Sequence, residues 1–91
     1  MLKAIIRGHV QNVGFRRTTK LAADRKGFQG SVRNLPDGAV EILFVGERAN
    51  LEQLLQDVKQ LMPSNCMEDV AICEYTPSAT FSPGFSILSH S

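Results

Sequence analysis

Residues 50–62 form the segment of this sequence that leaves the fewest choices of fold. Its apolar residues are spaced three and four apart, as on one face of an α-helix: Leu51, Leu54, Leu55, Val58, Leu61 and Met62. Pro63 follows and cannot continue a helix. The pattern therefore predicts an amphipathic helix that packs its apolar face on the core. Since the chain has only 91 residues, we expect that core to belong to one domain spanning residues 1–91.

Shorter apolar runs, bounded by glycine, proline or polar residues, predict strands around a second helix. This helix should begin at residue 15 or 16 and end at Lys26, because Gly27 is a typical stop signal. The Pro36-Asp37-Gly38 sequence predicts the turn of a β-hairpin. The predicted strands are residues 2–7, 28–34, 39–45, 68–75 and 85–88. This β-α-β-β-α-β order with a short closing strand indicates an α+β, ferredoxin-like sandwich, with two helices on one face of a mainly antiparallel sheet.

The charge balance limits the range of partners. Ten basic and nine acidic residues leave a net charge of +1, so no strong field attracts nucleic acid or an acidic membrane. No apolar run approaches the roughly 20 residues that span a bilayer, and the first residues lack a signal-peptide pattern. We expect a cytoplasmic monomer that acts on a small molecule and binds neither nucleic acid nor membranes. The cations Arg16, Arg17, Lys20, Arg25 and Lys26 should form part of a solvated helix face, with modest attraction of anionic substrate as the alternative.

The two cysteines do not indicate a metal or disulfide site. Cys66 and Cys73 lie seven residues apart, without a CxxC pair or a neighbouring histidine cluster. We expect reduced thiols that serve as small apolar groups, and no metal or cofactor.

Residues 8–16, with the sequence Gly-His-Val-Gln-Asn-Val-Gly-Phe-Arg, connect the first predicted strand to the first helix. The amides at a helix N-terminus lack intrahelical partners and the helix dipole is positive there, so this position favours an anion such as phosphate. Arg16 adds a planar group with two parallel donors. The segment matches neither a GxxxxGK[ST] loop nor a GxGxxG fingerprint, so bound ATP or NAD is not indicated.

These nine residues resemble the acylphosphatase signature, G-x-V-Q-G-V-G-F-R, at eight of nine positions. Asn12 stands where the signature has its second glycine, and asparagine is among the residues most tolerant of left-handed backbone geometry. The similarity continues through residues 27–30, 32–34 and the Asp37-Gly38 turn, and more loosely to residues 84–87. It therefore covers nearly the whole chain.

The resemblance implies an enzyme that hydrolyses acyl phosphates to a carboxylate and inorganic phosphate. It implies that Arg16 binds the phosphate and that Asn34 orients the attacking water, with no metal, cofactor or phosphoenzyme. It also implies a phosphate-binding loop made of main-chain amides from His9, Val10, Gln11, Asn12, Val13 and Gly14. Because His9 occupies the variable position of the signature, we expect its side chain to be exposed.

The residue types suit this chemistry independently of the family. A carboxylate leaves readily, so the reaction needs charge stabilisation and positioning more than a general acid. Arginine stays charged at every relevant pH, and an asparagine carbonyl can accept a hydrogen bond from water without titrating.

Two alternatives remain open at this stage. One is a non-catalytic phosphate or carbamoyl-phosphate binding module of the same fold, in which Asn12 prevents turnover. The other is a ferredoxin-like nucleic-acid module, but such modules stack bases on sheet aromatics. One tyrosine, five phenylalanines and a near-zero net charge argue against it.

Overall fold

The computed structural model describes residues 1–11, 14–62, 66–76 and 83–88. Five strands and two helices follow one another in the predicted order: β1 (Leu2–Gly8), α1 (Phe15–Lys26), β2 (Gln29–Asn34), β3 (Val40–Val45), α2 (Arg48–Leu61), β4 (Met67–Glu74) and β5 (Phe85–Leu88). The β-α-β-β-α-β order with a closing strand is therefore confirmed.

The start of α2 differs most from the prediction. The helix begins at Arg48, two residues before the predicted Asn50, and the amides of Asn50 and Leu51 both donate to the carbonyl of Glu47. The residues before Leu51 are exposed, so they carry no apolar periodicity that could have revealed this first turn. The other elements differ from their predicted bounds by no more than one residue at each end.

The strands form one sheet in the order β4-β1-β3-β2-β5. All neighbouring pairs are antiparallel except β2 and β5, which run parallel. Parallel pairing with β2 sets the closing strand beside residues 30–33, at one edge of the sheet. The carboxyl ends of β2 and β5 consequently lie on the same side of the molecule, near the beginning of α1.

The hydrophobic core lies between the two helices and one face of the sheet. Alternate residues of β1 and β3 supply this face, as the period of two in a strand requires. The apolar stripe of α2 and the small residues of α1 pack against them. Side chains that are fully buried in this layer include Ile6, Phe15, Val32, Val40, Ile42, Phe44, Leu51, Leu54 and Val58. Burying one Val, Leu, Ile or Phe side chain contributes about 1.5–3 kcal/mol, so this layer supplies most of the stability.

The opposite face of the sheet carries a buried carboxylate. Glu41 lies opposite Arg33 on β2, whose Nε donates to Glu41 Oε1 at 2.8 Å, and Lys3 Nζ lies 3.8 Å from Oε2. These long side chains cover the carboxylate, which is why Glu41 is only 6% exposed although it points away from the core.

The β2–β3 hairpin turn is tied to the end of β1. Arg7 Nη1 donates to Asp37 Oδ2 at 2.8 Å, and the amide of Ala39 donates to Asp37 Oδ1 at 3.1 Å. The Arg7 hydrogen bond, followed by the Ala39 amide, lowers the pKa of Asp37 below its usual value of 3.8. The turn therefore has a fixed position beside the segment that leaves β1 towards α1.

Candidate active site

The N-terminus of α1 carries amide donors without helical partners. Gly14 caps the helix in a left-handed conformation with φ 81° and ψ 15°, and no side chain caps it. The first helical hydrogen bond joins the amide of Thr18 to the carbonyl of Gly14, which leaves the amides of the three preceding residues unpaired within the helix. Since the first turn contains no acidic residue, the positive end of the helix dipole is not neutralised there.

Arg16 lies in this first turn and is partly exposed. One of its guanidinium nitrogens, Nη1, donates to the carbonyl oxygen of Leu88 at 3.2 Å. A guanidinium has five N–H donors, so this single bond leaves several for a ligand. The bond also connects the site to β5, a strand 72 residues further along the chain.

Asn34 is the last residue of β2 and is 8% exposed. Its Oδ1 atom is buried and has no hydrogen-bond partner among the described residues. An unsatisfied buried polar group costs about 1–3 kcal/mol, so native structures rarely retain one without a reason. The buried Oδ1 can therefore accept a hydrogen bond from a donor that enters the site with the substrate.

Arg16 and Asn34 line the same cavity, which has a volume of about 280 Å³. Its other lining residues are Val10, Gly14, Phe15, Arg17 and Ile87. The volume lies just below the usual range for small-molecule sites, so it suits a phosphate with a short organic group. A larger groove of about 710 Å³ runs between α2 and β4, but neither Arg16 nor Asn34 lies in it.

The residues predicted from the signature fall into three groups. Val10, Gly14, Arg16 and Asn34 line the cavity. His9 is exposed and, like Gln11, is not a lining residue. Asn12 and Val13 lie outside the described residues, and with them the centre of the predicted phosphate-binding loop.

Three lining residues were not singled out for the site by the sequence: Phe15, Arg17 and Ile87. Phe15 belongs to the signature, but its side chain is fully buried in the core. Arg17 has the pattern of a solvated helix cation, and Ile87 that of an ordinary strand residue. Only the parallel pairing of β5 with β2 brings Ile87 towards Asn34.

Gln11 connects the loop after β1 to the β2–β3 hairpin. Its Nε2 donates to the carbonyl of Leu35 at 2.8 Å and to that of Ala39 at 2.9 Å. Both protons of the amide are thereby used, and they join the loop to the chain immediately after Asn34. The side chain therefore holds the loop after β1 close to the end of β2, where Asn34 lies.

Replacing Gln11 with leucine should lower the free energy of unfolding by about 1–2 kcal/mol, because two hydrogen bonds are lost. The cost stays in this range because both carbonyls keep another partner, the amides of Gly38 and Leu35. The inhibition constant for inorganic phosphate should also rise, since the loop is no longer held against the hairpin. Chemical denaturation and inhibition assays measure the two effects.

Gln53→Leu is the matched control for this substitution. Gln53 donates to Asp57 on the exposed side of α2, remote from the cavity, so its loss should change stability by less than about 0.5 kcal/mol. Equal behaviour of the two variants would mean that Gln11 does not hold the loop.

A family model described as Acylphosphatase matches residues 2–87 of this chain. The chain belongs to the acylphosphatase family. The acylphosphatase of Acaryochloris marina is 44% identical over 73 residues, which cover 80% of this chain and 78% of that protein. The crystal structure of acylphosphatase from Bacillus subtilis superimposes with a TM-score of 0.78 at 34% identity, covering 97% of this chain and 99% of that one.

The acylphosphatase fold also occurs within a longer protein. The crystal structure of full-length HypF, in a phosphate- and nucleotide-bound form, matches 98% of this chain with a TM-score of 0.73 and 27% identity. The matched part is only 12% of the HypF chain.

Membership of the family establishes the activity that the signature predicted, which is hydrolysis of acyl phosphates. An acylphosphatase acts on the bond between a carboxyl group and phosphate, so this activity is favoured over the nucleic-acid module and the non-catalytic module. In the described part of the chain, no helix is long and apolar enough to cross a membrane.

Proposed function

We propose that this cavity binds the phosphoryl group of the substrate between the amides of residues 9–14 and the guanidinium of Arg16, and that Asn34 orients the attacking water. The proposal rests on the buried Oδ1 of Asn34, which has no hydrogen-bond partner in the described part of the chain and lies in the cavity that Arg16 also lines. A carbonyl oxygen is an acceptor, so the donor that suits it is a water molecule beside the bound phosphate.

Electrostatics supports this assignment of roles. The start of α1 offers unpaired amides and the positive end of the helix dipole, and Arg16 adds a full positive charge. These groups favour the dianionic phosphate, and they favour the transition state more as charge collects on its equatorial oxygens. Nearly all of the catalysis then comes from fixed dipoles and positioning.

The reaction transfers the phosphoryl group to water. The water oxygen forms a bond to phosphorus as the bond between phosphorus and the acyl oxygen breaks, and the carboxylate leaves with that electron pair. The proton lost by the water goes to a phosphate oxygen of the substrate, so no protein group has to titrate. The products are a carboxylate and inorganic phosphate.

We also infer the remaining properties from the chain as a whole. One core includes buried residues from both helices and from β1, β2, β3 and β5, and Met67 and Ile72 of β4 pack against it, which supports a single domain over residues 1–91. Among the described residues, the exposed large apolar side chains are Leu21, Val45, Leu61, Val70, Ile87 and Leu88; they are spread over five elements, which supports a monomer. The free thiols of Cys66 and Cys73 suit the reducing cytoplasm. Light scattering of the purified protein tests the monomer directly, because a larger mass would overturn it.

Hydrolysis of acetyl phosphate in the presence of a chelator tests the proposed reaction. The rate should be the same with and without EDTA, because Arg16 and the helix dipole supply the positive charge. Inorganic phosphate should raise the KM without changing kcat, since it occupies the same cavity. Loss of activity on chelation, or inhibition by phosphate that lowers kcat instead, would contradict the proposal.

A further inference from the structure

Arg17 is a cation at the cavity that the reaction does not use. It is exposed and lines the cavity with its neighbour Arg16. In the described ranges, Lys3, Arg7, Lys20, Arg33 and Arg48 each lie within 4 Å of a carboxylate, whereas no such contact involves Arg17. Its guanidinium is therefore available to a ligand.

The position of Arg17 differs from that of Arg16. Successive helical residues are rotated by about 100°, so the two side chains leave the helix in different directions. Arg16 is partly covered and fixed to the carbonyl of Leu88, whereas Arg17 stays at the exposed rim. If the phosphate binds at Arg16, the acyl end of the substrate would lie at the rim, near Arg17.

The second feature of this rim is apolar. Ile87 is 40% exposed on β5 and lines the same cavity. At about 280 Å³, the cavity has room for a short acyl group beside the phosphate. A short carbon chain beside Ile87, ending in a negative charge near Arg17, would fit both residues.

We propose that Arg17 is a specificity-determining residue, which favours acyl phosphates whose short acyl group carries a second negative charge, with Ile87 contacting the carbon chain between the two charges. The inference rests on the proposed function, because it takes the phosphate to lie at Arg16. The preference is moderate: an exposed ion pair changes an equilibrium by about fivefold at most. Added salt weakens it, because the screening length falls from about 10 Å at 0.1 M to about 3 Å at 1 M.

Two substrates of matched shape test the proposal. Fumaroyl monophosphate and crotonyl phosphate have the same trans carbon skeleton, but the first ends in a carboxylate and the second in a methyl group. The trans double bond keeps the carboxylate from attacking the acyl phosphate within the molecule. The quantity to measure is the ratio of the two kcat/KM values, for the parent, Arg17→Gln and Arg25→Gln.

Arg25→Gln is the matched control because Arg25 is also an exposed arginine of α1 and does not line the cavity. Both variants lower the net charge by the same amount. Arg17→Gln should lower the ratio about fivefold at low salt and much less at 1 M salt, whereas Arg25→Gln should leave it unchanged.

The results of this experiment separate an error about Arg17 from an error about the proposed function. If crotonyl phosphate is hydrolysed and Arg17→Gln leaves the ratio unchanged, or Arg25→Gln lowers it equally, the role of Arg17 is wrong while the proposed function stands. If neither substrate is hydrolysed, the proposed function and this inference both fail.

Discussion

Replacing Arg16 with alanine should lower kcat/KM for acetyl phosphate by about a thousandfold and abolish measurable inhibition by inorganic phosphate. Loss of one preorganised donor to a transition-state oxyanion typically costs about 100- to 1000-fold. Here a full charge is lost as well as a donor. Steady-state kinetics with phosphate as inhibitor measure both effects. Arg16→Lys should recover part of the affinity for phosphate, because the charge remains, but less of kcat/KM, because the planar pair of donors is gone.

Arg16 also has a structural contact, and the control must account for it. Its bond to the carbonyl of Leu88 connects α1 to β5. Lys20 makes a similar connection, since its Nζ donates to the carbonyl of Phe85 at 3.0 Å, but it does not line the cavity. Lys20→Ala should therefore match Arg16→Ala in its small effect on thermal unfolding and keep nearly all activity. If Lys20→Ala loses as much activity as Arg16→Ala, attachment of β5 and not phosphate binding is the role of Arg16.

Replacing Asn34 with alanine should lower kcat by about 100- to 1000-fold and leave the inhibition constant for phosphate within about threefold of the parent. The water loses its acceptor, whereas the groups that hold the phosphate remain. Stability should stay within about 1 kcal/mol of the parent, because the substitution removes a buried acceptor that has no partner in the described structure. A large loss of kcat with so small a change in stability would separate a role in the reaction from a role in packing.

Asn34→Asp is the informative companion variant. The carboxylate keeps the shape of the carboxamide but places a negative charge beside the bound phosphate. This variant should lose affinity for phosphate as well as kcat, because like charges repel in a partly dry cavity. If Asn34→Ala also loses phosphate affinity, Asn34 binds the phosphate and does not orient water. If it unfolds far more easily than the parent, its role is structural.

Most of the fold followed from local patterns. The apolar stripe of α2, the Gly27 stop and the Pro36-Asp37-Gly38 turn each have a local physical cause, so they could be predicted residue by residue. The first turn of α2 could not, because its exposed residues carry no apolar pattern. The burial of Glu41 could not be predicted from the sequence either, since it depends on Lys3 and Arg33 from neighbouring strands.

Only part of the candidate site could be predicted from the sequence. Arg16 and Asn34 were predicted from the family resemblance, and their chemistry suits the proposed roles. Their presence in one cavity depends on sheet order, on the hydrogen bonds of Gln11 to the hairpin and on the bond of Arg16 to a strand 72 residues away. The rim formed by Arg17 and Ile87 depends on the same long-range contacts, which no local pattern specifies.

A crystal structure of the protein with inorganic phosphate bound would show whether this cavity holds the phosphoryl group. We expect phosphate oxygens within hydrogen-bond distance of the Arg16 guanidinium and of amides in residues 9–14, with a water molecule between Asn34 Oδ1 and the phosphate. Phosphate bound at another place, or in this cavity with Asn34 turned away from it and Arg16 bonded to Leu88 alone, would contradict the account.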